Sequence, residues 1–272
     1  MLSREDLHRR LAMWQDVENK IHAFFQARGF VHVRTPLVVR APGMEPNLDP
    51  LEVWVNGERH ALITSPEYSM KKLVGSGLEK IYTMTPVFRN HETGSHNTPE
   101  FSMLEWYAPG TYEDLMEETE ELLQFVLEDR SDWSSVTYEQ AAVDEFGDPH
   151  TDLQRFFVTR YPKEQASLAR VSDDGTYAER FEAFGDGMEL CNGFCELLDP
   201  VEQRRRFVLE QEERRQLGKT VFPIDEELLE ALGRIKGSLY GNALGLDRLV
   251  MLKYAVRDIH DIQLVDPYGF NK

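Results

Sequence analysis

The run AERFEAFGDGMELCNGF (178–194) sets Glu182 and Glu189 on either side of Asp186-Gly187, a dipeptide suited to a two-residue hairpin turn. With that turn Phe184 faces Glu189, and Glu182 shares the face of Phe184 because strand side chains alternate. The two carboxylates become diagonal neighbours, which repel unless a cation or a proton lies between them. One reading is a pair of solvated glutamates on an exposed sheet face. The other is a Mg²⁺ site holding a polyphosphate, because Mg²⁺ takes one or two carboxylates plus phosphate oxygens. Arg89 and Arg248 are the natural anion partners. Arg89 ends a strand-like run, and Arg248 follows GNALGLD, whose glycines let a ligand approach the backbone before a helix at LVML. Taken singly, each arginine is as readily a surface ion-pair member, and Gly245 alone is weaker still. Phe101 could stack on an aromatic base, although a strand phenylalanine is core by default. Alternation puts Glu105 and Tyr107 on one face, suited to an ammonium group, while Glu67 and Glu196 stand among apolar neighbours at element ends.

The elements that must position these groups can be read along the chain. Ser3 caps a helix with apolar Leu7, Leu11, Trp14, Val17, Ile21, Phe24 and Phe25 at helical spacing, and Gly29 stops it. A β-rich stretch, FVHVRTPLVV, is broken by Pro36, and the loop APGMEPNLDP follows. Asn56-Gly57 between β-prone runs predicts a hairpin. Ser65-Pro66 predicts an N-cap and first helical position for a helix through EYSMKKLV. Strand-like IYTMTPVF, the polar stretch FRNHETGSHNTPEFSMLEWY and a second helix, TYEDLMEETEELLQFVLED, come next. Residues 129–152 read as a connector with a short helix. FFVTRYP is a strand, Asp199-Pro200 caps a long charged helix, EELLEAL is a short one, and a polar tail ends the chain. Strands grouped as hairpins, with helices between groups, predict an antiparallel α+β domain rather than a Rossmann fold.

Bulk properties narrow the function. The 272 residues allow one large domain, and a net charge of −18 disfavours extended tRNA or DNA binding. The absence of a signal-peptide core or membrane-length apolar run predicts a soluble cytoplasmic protein. Cys191 and Cys195 are too few for a disulfide framework and lack companion metal ligands nearby.

In combination, FRNHETGSHNTPEF with SMLEWY, followed by GNALGLDRLVML, resembles motifs 2 and 3 of class II aminoacyl-tRNA synthetases. ARGFVHVRTP resembles motif 1 with Pro36. TSPEY, MLEWY, and MELCNGFCEL before a helix containing QRRRF resemble the lysyl branch, and within it the elongation factor P β-lysine ligases. The likeness runs from about residue 10 to about residue 255. The chain starts at the motif 1 helix, so a single catalytic domain over 1–272 without an N-terminal OB-fold is expected. Motif 3 carries Ala243 where the synthetases resemble one another in having glycine and the ligases have alanine. An added methyl there would reshape the floor of the amino-acid pocket.

The resemblance implies ATP-dependent activation of lysine or (R)-β-lysine as an adenylate, and its transfer to a lysine of elongation factor P. It implies ATP and Mg²⁺ as cofactors, no tRNA or membrane partner, and a homodimer through motif 1. By similarity, Arg89 and Arg248 are catalytic, meeting the α- and γ-phosphates. Asn90, His91, Asn97, Thr98, Phe101, Glu189, Leu190 and Gly245 complete the ATP site. Ser65, Glu67, Glu105, Tyr107, Asn192, Glu196 and Ala243 form the amino-acid site, and Glu182 and Glu189 carry the metal. The relatives usually show FRNE and HNPEF, where this chain has FRNH and HNTPEF. The alternatives are an enzyme that charges tRNA or a small acceptor, and a non-catalytic amino-acid sensor. A sensor predicts lost ATP and metal residues, yet Arg89, Arg248, Glu182 and Glu189 all stand.

Overall fold

A computed structural model describes residues 2–144 and 147–265, so 145–146 of the connector and 266–272 of the polar tail lie outside the described residues. In chain order the first elements are α1 (Arg4–Ala27), β1 (Val31–His32), β2 (Val38–Val39), β3 (Glu52–Val55), β4 (Glu58–Leu62) and α2 (Glu67–Gly75). β5 (Ile81–Phe88), β6 (Glu100–Pro109), α3 (Tyr112–Leu127), β7 (Ser134–Thr137) and β8 (Arg155–Tyr161) follow. The chain continues through β9 (Ala178–Gly185), β10 (Met188–Cys195), α4 (Pro200–Gln216), α5 (Glu226–Arg234), β11 (Leu239–Gly245) and α6 (Leu246–Lys253).

Eight strands form one sheet in the order β1-β5-β6-β11-β10-β9-β8-β7. Pairing is antiparallel throughout the centre and parallel only at the edges, between β1 and β5 and between β7 and β8. The α+β expectation therefore holds. A second sheet, β2-β4-β3, contains the predicted hairpin, whose turn residues Asn56 and Gly57 have φ of 53° and 83° as a type I′ turn requires. Among the described residues, no helix is long and apolar enough to cross a membrane.

Strand alternation gives the main sheet two unlike faces. Leu104, Trp106 and Ala108 of β6, Leu244 of β11, Cys191 and Cys195 of β10, and Phe181 and Ala183 of β9 join one apolar layer with α1, α3 and α6. The intervening residues Glu105, Tyr107, Gly241, Ala243, Asn192, Glu182 and Phe184 line a cavity on the other face. α2 and α5 cover one end of that face, with Met70 and Val74 packed on Ile81, Tyr107 and Leu239. The face is thus part core and part site.

Local chemistry explains the helix ends. Ser3 Oγ accepts from the Asp6 N–H at 3.1 Å. At α1, Val17, Ile21, Phe24 and Phe25 are buried as their spacing predicts, but Leu7 and Leu11 stay 37% and 42% exposed. Thr111 and Asp114 form a reciprocal capping box at α3. The helix predicted from Ser65-Pro66 starts one residue later than expected. Pro66 is the N-cap, and Ser65 Oγ accepts from the Glu67 N–H at 3.4 Å. α6 starts at Leu246 rather than at LVML, so Arg248 sits in its first turn. The connector 129–152 holds no helix among its described residues. It supplies the edge strand β7, which pairs in parallel with β8.

Thr111→Ala removes both the side-chain acceptor for Asp114 and one arm of the box. A loss of about 1 kcal/mol in urea unfolding is expected.

Candidate active site

The cavity has a volume of about 1120 Å³. It is lined by Ser65, Glu67, Arg89, Asn97, Thr98, Phe101, Glu105, Tyr107, Glu182, Glu189, Leu190, Asn192, Ala243, Gly245 and Arg248. The structure thus brings together residues that lie up to 183 positions apart in the chain, from Ser65 to Arg248. Glu196 is not on the wall itself but lies against it, buried behind Gly241 and joined to the cavity through Lys71 and Glu67. Asn90 and His91 are elsewhere. They line a separate recess of about 280 Å³ with Asp49, Arg214 and Lys219. The Asn90 N–H donates to the Asp49 carbonyl at 2.7 Å, and His91 has φ of 66°, while the next residue, Glu92, lines the main cavity.

One end of the site is a buried carboxylate cluster. Tyr107 Oη donates to Glu105 Oε1 at 2.8 Å, while Glu105 Oε2 is buried without a partner. Lys71, only 1% exposed, donates to Glu67 Oε1 at 2.6 Å and forms an ion pair with Glu196 Oε2 at 2.5 Å. Lys71 thus holds Glu196 Oε2, while Glu196 Oε1 is buried without a hydrogen-bond partner. Burial, together with the Glu67 charge, holds the Glu105 carboxyl well above the usual range. Burial pushes Glu196 up to about 8 against the opposing pull of Lys71. Burial also disfavours the charge on Lys71, but Glu196 and Glu67 outweigh it and raise its pKa. Buried acceptor oxygens without donors are costly, and an ammonium group is their natural complement.

The other end holds two arginines, with Glu189 3.6 Å from Arg248. Arg248 Nη1 donates to the Glu189 carbonyl at 2.7 Å and its Nη2 to Asn97 Oδ1 at 2.6 Å. Arg89 Nε donates to the Thr64 carbonyl at 3.3 Å, and its guanidinium lies 5.2 Å from the centre of the Phe101 ring. Phe101 is half-buried on the cavity wall rather than sealed in the core. Gly245 leaves ordinary space, with nothing nearer than 3.8 Å to a Cβ built there. Thr98 is fully buried and donates to the Glu100 carbonyl at 2.7 Å, so the additional residue in HNTPEF is absorbed by the turn into β6 while Asn97 meets Arg248.

Between these ends stand Glu182 and Glu189. Glu189 faces Phe184 as the turn predicts, but a bulge at Leu190 pairs Glu182 with Asn192 instead of Cys191. Burial and the neighbouring Glu189 charge push Glu182 up to about 7, with Arg180 and Tyr161 opposing. Arg180 donates to Glu182 Oε1 at 2.6 Å and Tyr161 to Oε2 at 2.6 Å. Hard oxygen donors under mutual repulsion fit Mg²⁺. No group of three or more His, Cys, Asp or Glu side chains suited to a metal occurs among the described residues, so Cys191 and Cys195 are two free, buried thiols.

The sequence matches the family described as tRNA synthetases class II (D, K and N) over residues 1–265. The chain belongs to that class II synthetase family. It is also 35% identical to the elongation factor P (R)-β-lysine ligase of Salmonella paratyphi A over 90% of this chain and 91% of that one. The ligases of the same name from Salmonella dublin and Salmonella heidelberg are 35% identical over 89% of this chain and 90% of theirs. In class II terms, motif 2 occupies β5, β6 and the loop between them, and motif 3 occupies β11 and α6.

Several residues of this class II site escaped the sequence reading. Lys71 follows Glu67 by one helical turn on a face with buried Met70 and Val74, a spacing that could have flagged a buried ion pair. Gly241 is the first glycine of GNALGLD. A Cβ built there would overlap the Tyr107 ring and reach 2.7 Å from Glu196 Oε1, so glycine is needed for that pocket. Asp247, pushed up to about 6 by burial, accepts from the Ser102 N–H at 2.7 Å and ties α6 to β6.

A carboxyl whose folded pKa exceeds its unfolded value favours folding at low pH, and that contribution is lost as pH rises above about 4.3, the ordinary glutamate value, through the folded pKa. Glu105→Gln should therefore stabilise the ligand-free protein by an amount that grows between pH 5 and pH 8. Urea denaturation at a series of pH values checks this.

Proposed function

We propose that this protein activates a diamino acid, lysine or (R)-β-lysine, with ATP and transfers it to a lysine side chain of elongation factor P. One observation carries the reading. The cluster of Glu67, Glu105 and Glu196 is balanced by Lys71 alone, an excess of two negative charges when all are ionised. A diamino acid brings two ammonium groups to a pocket in which Glu105 Oε2 and Glu196 Oε1 lack donors. The acceptor is taken from the name of relatives that match most of the chain.

In this reading the ammonium groups dock at Glu67, Glu105, Tyr107 and Glu196, which points the substrate carboxylate toward Arg89. Ser65, Asn192 and Ala243 shape the walls around it. Phe101 stacks on adenine, Arg89 holds the α-phosphate and Arg248 the γ-phosphate. Glu182 and Glu189 would hold Mg²⁺, which when bound supplies charge neutralisation on the phosphates. A carboxylate oxygen attacks the α-phosphorus, the bond to pyrophosphate breaks, and an aminoacyl-adenylate forms. The acceptor's neutral amine then attacks the carbonyl carbon, forming an amide and releasing AMP and a proton. Positioning and electrostatic stabilisation supply the rate. We assign the enzyme to the cytoplasm and its homodimer contact to α1 and β1, where Leu7, Leu11 and Val31 are exposed.

ATP–pyrophosphate exchange with α-lysine, β-lysine and apolar amino acids, followed by label transfer, tests the reading. Exchange confined to diamino acids and label on elongation factor P are expected; label on tRNA instead would overturn it. Glu196→Gln should raise KM for the diamino acid on the order of tenfold or more, with KM for ATP nearly unchanged. Equal loss of both would contradict the role of Glu196.

A further inference from the structure

The diamino-acid reading leaves one buried charge without a task. Lys71 does not line the cavity, cannot reach solvent, and sits between two carboxylates on different elements. Its ammonium is 2.6 Å from Glu67 Oε1 on α2 and 2.5 Å from Glu196 Oε2 beyond the end of β10. Phe194 covers it with its ring centre 5.4 Å away. The remaining oxygen of Glu196 has no donor and lies beside the gap that Gly241 leaves open.

We propose that Lys71 is a positioning residue for amino-acid selection. It clamps one oxygen each of Glu67 and Glu196, so their free oxygens sit at a fixed separation and present two ammonium-binding points. The proposal rests on the diamino-acid reading of the site. An internal lysine is suited to this task because it satisfies one charge and leaves the excess for the ligand. Without it, three buried carboxylates would face one another with no cation between them. Tyr107 fixes Glu105 in the same way from the other side, through a neutral donor.

The clamp also ties ligand binding to pH. The groups facing Glu196 are Glu67 and Lys71 on α2, Glu105 and Tyr107 on β6, and Cys195 next to it in the chain. β11 contributes Gly241 and no ionisable side chain at that point. Lys71 is thus the one cation among them. Removing its charge disfavours the Glu196 carboxylate, so ammonium binding then requires a higher pH.

Two variants test the proposal, each checked for folding by circular dichroism and read by calorimetric lysine affinity from pH 6.5 to 9 and by exchange kinetics. In Lys71→Gln, lysine affinity at pH 7 should fall on the order of tenfold, and the pH of half-maximal affinity should move up by about one unit. KM for ATP should stay within about twofold, since the nucleotide end is untouched. Lys71→Arg keeps the charge but moves the clamped oxygens. It should keep the wild-type pH profile while changing the preference for lysine over ornithine, which is one methylene shorter. A Lys71→Gln profile parallel to wild type, or an unchanged lysine-to-ornithine ratio in Lys71→Arg, would overturn the positioning role. A wild type that binds lysine normally but discriminates against neither norleucine nor leucine would overturn the diamino-acid reading itself.

Discussion

Three carboxylates crowd around one lysine inside the protein, and much of the structure serves that arrangement. Glu67 opens α2, Glu105 lies in the middle of β6, and Glu196 follows β10, so none of the three could gather the others without the sheet. Burying like charges is unfavourable, and the rest of the fold must hold the groups in place against their repulsion. It does so with the apolar layer of α1, α3 and α6 on the opposite face, where Trp106 and Phe25 are almost fully enclosed. Alternation along β6 joins the two roles directly, because Leu104 and Trp106 anchor the strand while Glu105 and Tyr107 face the cavity.

The two ends of the cavity differ in composition. Carboxylates and one lysine make up its inner end, and the other holds Arg89 and Arg248, with Glu189 paired to Arg248 at 3.6 Å. In the proposed function, the ammonium groups of the ligand point inward and its carboxylate points toward the arginines. The end with Arg89 and Arg248 is held by backbone as much as by side chains. Carbonyls of Glu189 and Thr64 fix the two guanidinium groups, and Asp247 secures the start of α6 to the backbone of β6. Backbone anchors do not reorganise when charge develops in a reaction, which is the condition for preorganised electrostatics.

What could be read from sequence follows from the range of each interaction. Period-two alternation puts Glu105 with Tyr107 and Glu182 with Glu189 from sequence alone, because strand geometry is local. The Asn56-Gly57 and Asp186-Gly187 hairpins were legible for the same reason. The bulge at Leu190 was not, since a one-residue slip is decided by how Cys191 and Leu190 both pack into the apolar layer. β7 was missed because a short parallel edge strand takes its identity from its partner β8. His91, placed by resemblance in the ATP site, lines the separate recess, whereas Lys71, not singled out from sequence, is buried beside the cavity. The spacing from Glu67 hints at one partner, but the other, Glu196, lies 125 positions away and has no local signature.

Burial raises the Glu105 and Glu196 carboxyls in the ligand-free protein, so an incoming pair of ammonium groups should displace protons from them. Isothermal titration of the full-length protein at pH 7, in buffers of different ionisation enthalpy, counts those protons directly. Lysine should bind with net proton release, and norleucine, which lacks the distal ammonium, should bind far more weakly and release fewer. Lysine binding without proton exchange, or norleucine binding as tightly as lysine, would contradict the claim.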